Sequence, residues 1–126
     1  MRYLGIDYGS KRVGVAVSDE SAKFALPLAV IANTENLLLE VERLAKENDT
    51  RKIVIGESRK YDMSANKILP EIMDFKDRLD KRGYKTYLEL EFMTSEQAER
   101  LQGKHDKIDA SAAALILQSF LDKQSS

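Results

Sequence analysis

The sequence predicts an α/β fold in which a five-stranded mixed sheet carries helices on its faces. Two observations support this prediction. Near the N-terminus, three short runs rich in Val, Ile and Leu follow one another with only short polar links between them. From residue 34 onward, stretches of helical periodicity alternate with short apolar runs, which is typical of βαβ units. The predicted order of elements is βββαβαβαα.

The connections between the strands predict the order of the sheet. Links as short as the first two join antiparallel neighbours, because a parallel return needs a long crossover. Pro27 lacks an N–H group, which places the third strand at an edge. The later strands follow helices, and right-handed crossovers put strand 4 beside and parallel to strand 1. The predicted sheet order is therefore 3-2-1-4-5. The predicted strands cover residues 2–7, 12–18, 24–31, 53–56 and 84–91.

Four helices are predicted, over residues 34–48, 64–82, 94–101 and 109–123. Asn33 or Thr34 can cap the first of them. Pro70 means that the second helix either begins near Leu69 or is kinked at the proline, and the kink is favoured. Gly83 suits the C-terminal cap of this helix, and the tail beyond residue 123 is expected to fray. The inward-facing positions of the second helix are expected to be Ile68, Ile72, Met73, Phe75 and Leu79. Those of the last helix are expected to be Ala112, Ala113, Ile116, Leu117 and Phe120.

The composition limits the class of protein. A chain of 126 residues with 33% charged residues is expected to form one soluble domain over residues 1–126. It has no cysteine, which excludes disulfides, thiolate catalysis and cysteine-based zinc sites. No apolar run approaches the ~20 residues that span a bilayer, so a cytoplasmic location without membrane contact is expected. The formal net charge of −1 argues against a strongly basic nucleic-acid coat protein, but not against a local basic patch.

The most informative stretch is Leu4-Gly5-Ile6-Asp7-Tyr8-Gly9, a buried strand pattern that ends in one carboxylate and a glycine turn. An ionised carboxylate at the end of a core strand costs free energy unless something pairs with it. A metal ion, backbone N–H groups or a neighbouring base could do so. In the simplest alternative, Asp7 closes an Asx-turn with the amide of Gly9 or Ser10. Turns of this kind also open ATPase folds of the actin type, but those enclose a nucleotide between two domains.

Four segments of the chain resemble the YqgF/RuvX family of Holliday-junction-resolvase-like proteins, which have the ribonuclease H fold. They are residues 5–19, residues 53–56, Glu91 with Thr94-Ser95 and Ala98, and Lys107-Ile108-Asp109-Ala110-Ser111-Ala112-Ala113. The resemblance implies a metal-dependent nuclease that acts in 5′-end processing of pre-16S ribosomal RNA. It also implies that Asp7, Glu91 and Asp109 are catalytic and bind Mg²⁺ or Mn²⁺. Oxygen ligands from three separate elements suit these ions.

The sequence departs from the family pattern beside Glu91, where Leu90 and Phe92 replace an acid and a base, and after strand 4, where Glu57-Ser58 replaces Leu-Pro. Taken singly, Glu91 could be a solvated charge at a strand end, like Glu89, and Asp109 could be an N-cap. Two alternatives to the RNA nuclease therefore stay open. One is a resolvase of branched DNA, which would favour a homodimer over a monomer. The other is a nucleic-acid-binding module with little or no activity.

Basic residues in three loops near the acidic cluster are candidates for phosphate contacts in structured RNA or branched DNA. They are Lys11, Arg12, Arg59, Lys60, Lys104 and Lys107. Tyr8 and Tyr61 could stack on bases, although Tyr8 could equally pack on the sheet. Asp106, His105 and Glu57 are accessory candidates, and each is first expected to be a solvated loop residue.

Overall fold

The structure, a computed structural model, describes the backbone of residues 1–57, 65–89 and 108–125, with side chains described over 1–57, 68–89 and 112–124. The strands are β1 (Leu4–Tyr8), β2 (Arg12–Ser18), β3 (Ala25–Ala32), β4 (Lys52–Gly56) and β5 (Lys85–Glu89). The helices are α1 (Leu37–Glu47), α2 (Ala65–Lys81) and α3 (Ile108–Ser125). The helix predicted over residues 94–101 lies outside the described residues.

The five strands form one mixed sheet in the order β3-β2-β1-β4-β5, which confirms the predicted topology. The pairs β1–β2 and β2–β3 are antiparallel, whereas β1–β4 and β4–β5 are parallel. Strand β3 lies at an edge, as Pro27 predicted, and the register shifts beside the position that faces this proline. Strand β1 is central and buried at all five positions. The carboxyl end of β1 therefore lies near the middle of the row of strand ends on one side of the sheet.

Hydrophobic cores form on both faces of the sheet, because alternate residues of each strand point to opposite sides. The larger core packs α1 and α2 against one face and includes Leu4, Ile6 and Tyr8 of β1. The smaller core packs α3 against the other face and includes Val54 of β4. The inward residues predicted for the last helix are confirmed; they are Ala112, Ala113, Ile116, Leu117 and Phe120.

The predicted start of α1 is wrong. The helix begins at Leu37 after Asn36, and neither Asn33 nor Thr34 is its N-cap. The Thr34 hydroxyl accepts a hydrogen bond from the Asn36 backbone N–H, which stabilises a turn ahead of the helix. Asn33 uses its side chain elsewhere, since its Nδ2 donates to the Gly9 carbonyl oxygen at 2.7 Å. These hydrogen bonds outweighed the propensity of Asn33 and Thr34 for helix starts.

Helix α2 contains Pro70 in its interior, so a start near Leu69 is wrong. The proline removes only one backbone donor in a helix of 17 residues whose apolar face packs on the larger core. Met73 was expected to face inward but is 45% exposed. Gly83 has φ +94°, and its N–H donates to the Asp80 carbonyl, as expected of a C-terminal cap.

Helix α3 extends two residues further than predicted, to Ser125, so the expected fraying from residue 124 is not seen there. In the parts of the chain that the structure describes, no helix has the length and apolar character needed to cross a membrane.

Candidate active site

Asp7 lies at the carboxyl-terminal part of β1 and is only 6% exposed. Leu4, Ile6 and Tyr8 belong to the core under α1 and α2, so strand alternation turns Gly5 and Asp7 toward α3. A Cβ atom added at Gly5 would lie 2.7 Å from the Leu117 Cβ, which confirms that α3 packs on this face. Asp7 thus brings a largely buried carboxyl group to the α3 face of the central strand.

Both neighbours of Asp7 in the sheet are glycines. Asp7 is in register with Gly14 of β2 and with Gly56 of β4. Side chains at directly opposite positions of neighbouring strands lie about 4.5–5.5 Å apart and pack against each other. At the two directly opposite positions, glycine therefore presents no side chain to Asp7. This feature was not predicted from the sequence, although Gly14, between Val13 and Val15, is a signal for it.

Helix α3 runs antiparallel to β1, with its first turn toward the Asp7 end. The ring of Tyr3 packs on Phe120 at 5.6 Å between centroids, whereas Gly5 faces Leu117 and the Ala113 carbonyl. Two further strand residues advance about 6.6 Å, which corresponds to about four helical residues. The backbone of Asp109, in the first turn of α3, therefore falls near the level of Asp7. The Asp109 side chain is outside the described residues.

Among the other residues predicted for the site, the structure describes the basic pair Lys11 and Arg12. Lys11 and Arg12 are exposed and lie in or beside the turn that follows Asp7. This turn is held by Asn33, whose side chain donates to the Gly9 carbonyl and whose backbone N–H donates to the Lys11 carbonyl at 2.9 Å. The remaining predicted residues lie outside the described residues; they are Glu91, Arg59, Lys60, Lys104, Lys107, Tyr61, His105 and Asp106.

Tyr8 is a core residue and not a stacking platform. It is 7% exposed, and its ring packs on Phe75 with 5.5 Å between centroids. Burial raises the pKa of Tyr8, and the carboxylates of Glu71 and Asp74 raise it further, while a hydrogen bond with Asn33 and the charge of Arg78 lower it. The phenol stays protonated at neutral pH, so its contribution to the site is packing.

Two acidic residues that were expected to be solvated are buried. Glu89, the last described residue of β5, is 6% exposed. Its carboxylate accepts hydrogen bonds from the Ser119 hydroxyl at 2.8 Å and the Lys123 ammonium at 2.6 Å. Glu57, directly after β4, is 7% exposed. Glu89 thus fastens the end of β5 to α3, two residues before Glu91. The expectation that Glu89 is a solvated charge at a strand end is wrong.

The donor chemistry at this end of the sheet fits a hard divalent cation. Asp7 supplies a carboxylate whose register partners in both neighbouring strands are glycines, and Glu91 and Asp109 would add two more oxygen donors in the predicted site. Mg²⁺ prefers oxygen ligands, and the chain has no cysteine and one histidine to offer in their place. Within the described side chains, no group of three acidic or histidine residues forms a metal site.

Two solved structures of similar fold are a RuvC protein and a viral Holliday junction resolvase. The chain matches "T. thermophilus RuvC in complex with Holliday junction substrate" with a TM-score of 0.61, at 14% identity over 100% of this chain and 96% of that one. It matches the fowlpox virus Holliday junction resolvase with a TM-score of 0.57, at 14% identity over 98% and 99% of the two chains. The protein therefore has the ribonuclease H-like fold of the Holliday junction resolvases.

The sequence comparisons identify the family within this class. The model described as "RuvX: Holliday junction resolvase" matches residues 1–123, so the chain belongs to the RuvX family. A relative from Nitratidesulfovibrio vulgaris, named "Putative pre-16S rRNA nuclease", is 35% identical over 97% of this chain and 94% of its own. A relative of the same name from Lactobacillus delbrueckii subsp. bulgaricus is 31% identical over 98% of each chain. The resemblance inferred from the sequence motifs is confirmed.

Proposed function

We propose that this protein is a metal-dependent nuclease of one domain that hydrolyses phosphodiester bonds in the 5′ leader of pre-16S ribosomal RNA, in the cytoplasm. The observation that carries the proposal is the buried carboxyl group of Asp7, which lies at the end of the central strand between two glycines. The names of the RuvX relatives support the choice of substrate.

Asp7, Glu91 and Asp109 would hold Mg²⁺ or Mn²⁺ in this proposal. When bound, such ions supply a water of lowered pKa and stabilise the charge on the leaving oxygen. The protein's own contribution is to hold carboxylates of separate elements in fixed positions. Asp7 is fixed by the sheet, Asp109 by the start of α3, and Glu91 follows the strand end that Glu89 fastens to α3.

Lys11 and Arg12 would contact substrate phosphates, because they are exposed beside the turn that follows Asp7. Arg59, Lys60, Lys104 and Lys107 would extend this basic surface. Contacts of this kind fix the register of a nucleic acid without selecting its sequence, so the choice between RNA and DNA depends on other features of the substrate.

A second candidate function is the resolution of branched DNA, which the family description and the fold of the resolvases favour. Equimolar labelled pre-16S leader RNA and a four-way DNA junction, offered together with Mg²⁺ or Mn²⁺, distinguish the two. We expect cleavage of the RNA at a defined site and an intact junction. Symmetric cuts in the junction would favour the resolvase. Salt-sensitive binding of both polymers without cleavage would favour a binding module and direct attention to Leu90 and Phe92.

The ligand set is tested by Glu91→Gln and Asp109→Asn. Both variants are expected to lose cleavage and to bind Mn²⁺ more weakly in calorimetry, with an unchanged circular dichroism spectrum. Full activity in either variant would remove that residue from the site.

A further inference from the structure

A cleft of about 410 Å³ opens between α1 and α2, on the opposite face of the sheet from Asp7. We call it the α1–α2 cleft; Tyr8, Asn33, Glu35, Leu38, Glu71 and Phe75 are among its lining residues. Its volume lies within the range of about 300–1,000 Å³ that is usual for ligand sites. Tyr8 turns away from Asp7 by strand alternation, so an occupant of this cleft would leave the candidate active site open.

The lining of the cleft combines an apolar floor with an acidic rim. Leu37, Leu38 and Phe75 contribute apolar surface, and the three carboxylates are Glu35, Glu71 and Asp74. One basic residue, Arg78, is also present, and it pairs with Asp74 at 2.9 Å. Three carboxylates and one guanidinium leave a formal charge of −2.

Two of these carboxylates have no basic partner within the described residues. Glu35 and Glu71 are exposed and form no ion pair there. The rise in the pKa of Tyr8 has burial as its largest cause, and the negative charges of Glu71 and Asp74 add to it. The hydrogen bond with Asn33 and the charge of Arg78 lower the pKa of Tyr8, so the effect of the two carboxylates is partly offset. Their negative charge lies close enough to the floor of the cleft to stabilise an incoming positive charge.

The charge and shape of the cleft select one kind of occupant. A nucleic acid brings phosphates, which a site of charge −2 repels. A bare metal ion would not use the apolar floor, and the described residues hold no group of three metal-binding side chains. An arginine side chain fits both the apolar floor and the acidic rim, because its apolar stem packs on hydrophobic surface while its guanidinium pairs with carboxylates.

We propose that the α1–α2 cleft binds an arginine side chain from a basic segment of a partner protein. The bound segment would contact Tyr8 and Asn33, and Asn33 holds the turn that follows Asp7 through the Gly9 and Lys11 carbonyls. The partner would thus dock on the back of the sheet while the nucleic acid occupies the front. This docking does not depend on nuclease activity, so the two proposals fail separately.

Nuclear magnetic resonance titration of the full chain tests the proposal directly. The probe is the peptide acetyl-Gly-Leu-Arg-Leu-Arg-Gly-amide, and its control has citrulline, a neutral isostere, at both arginine positions. We expect the arginine peptide to shift the amide resonances of Tyr8, Asn33 and Leu38, and the citrulline peptide to leave them unchanged. Shifts that map elsewhere, or equal binding of the two peptides, would overturn the proposal.

Two pairs of substitutions distinguish binding of the peptide in the α1–α2 cleft from nonspecific attraction of a basic peptide to acidic surface residues. Glu35→Gln with Glu71→Gln removes two carboxylates from the rim, whereas Glu20→Gln with Glu47→Gln removes two exposed carboxylates elsewhere. Because the guanidinium would lose both carboxylates that pair with it, the first pair of substitutions should weaken binding of the peptide at least about tenfold. The second pair should change its affinity less than about twofold. Equal weakening by both pairs would contradict the proposal, as would displacement of the peptide by oligouridylate bound in the cleft.

Discussion

Gly56→Ala is the substitution that most sharply tests how β4, β5 and α3 meet beside Asp7. An added Cβ would press on the Glu89 carbonyl oxygen of β5 and would lie 2.9 Å from Cγ2 and 3.1 Å from Cδ1 of Ile116. Carbon atoms in contact are ordinarily about 3.5–4.0 Å apart, so the Ile116 side chain would have to move by about 0.5 Å or more. The carbonyl belongs to a strand backbone and cannot rotate away.

Overpacking of this kind typically costs about 1–3 kcal/mol, and the involvement of a strand backbone places Gly56→Ala near the top of that range. With a urea m-value of about 1–3 kcal/mol/M, the unfolding midpoint should fall by about 1 M or more. Gly9→Ala is a second test of the same kind. Its Cβ would lie 2.5 Å from the carbonyl oxygen of Arg12, which belongs to the backbone of β2, so we expect a cost of about 1–3 kcal/mol here as well.

Urea unfolding followed by circular dichroism measures both variants. An Ile116→Val background removes the Cδ1 contact, and most of the cost of Gly56→Ala should persist there because the Glu89 carbonyl remains. A free energy of unfolding for Gly56→Ala within about 0.5 kcal/mol of that of the unmodified protein would contradict this expectation, because that is the usual range of neutral substitutions.

Three further predictions concern charges. Lys123→Met leaves the buried Glu89 carboxylate without its ammonium partner and should lower the free energy of unfolding by about 1–2 kcal/mol. The loss is smaller than for a fully buried ion pair because Lys123 is 62% exposed. An unchanged urea midpoint would contradict this prediction. Hydrogen bonds from a serine hydroxyl and from backbone N–H groups of its loop lower the pKa of Asp19 from 3.8 to about 2. Its stabilising contribution is therefore complete above pH 3.8 and is lost as the pH falls toward 2, and Asp19→Asn should flatten the stability profile in that interval. Lys11→Met should weaken RNA binding and reduce the salt slope by about 1, whereas Lys46→Met, on α1, should do neither in the same gel-shift series.

The sheet could be predicted from the sequence because its order follows from local features. Short links set the antiparallel pairs, Pro27 marked the edge strand, and the helices before β4 and β5 required parallel crossovers. The apolar spacing of α3 likewise predicted its buried face. Each of these inferences starts from the pattern of one element and the connection beside it, which is where pattern reasoning is strongest.

The features that sequence reasoning missed depend on distant contacts. Glu89 is buried because Ser119 and Lys123, 30 and 34 positions away, approach it from α3. Asn33 does not cap α1 because the Gly9 carbonyl, 24 positions earlier, takes its side chain. The two glycines beside Asp7 also become neighbours only through the register of three strands. No local pattern specifies such pairs.

The central proposal depends on Asp7, and cleavage of labelled pre-16S leader RNA by Asp7→Asn tests it most directly. The control is Asp49→Asn, an exposed residue at φ +53°, where asparagine is well tolerated. With Mg²⁺, and with thermal unfolding measured alongside, we expect Asp7→Asn to fold and to cleave about 100-fold or more slowly, while Asp49→Asn cleaves as the unmodified protein does. Cleavage by Asp7→Asn at the unmodified rate would contradict the assignment of this carboxylate to the active site.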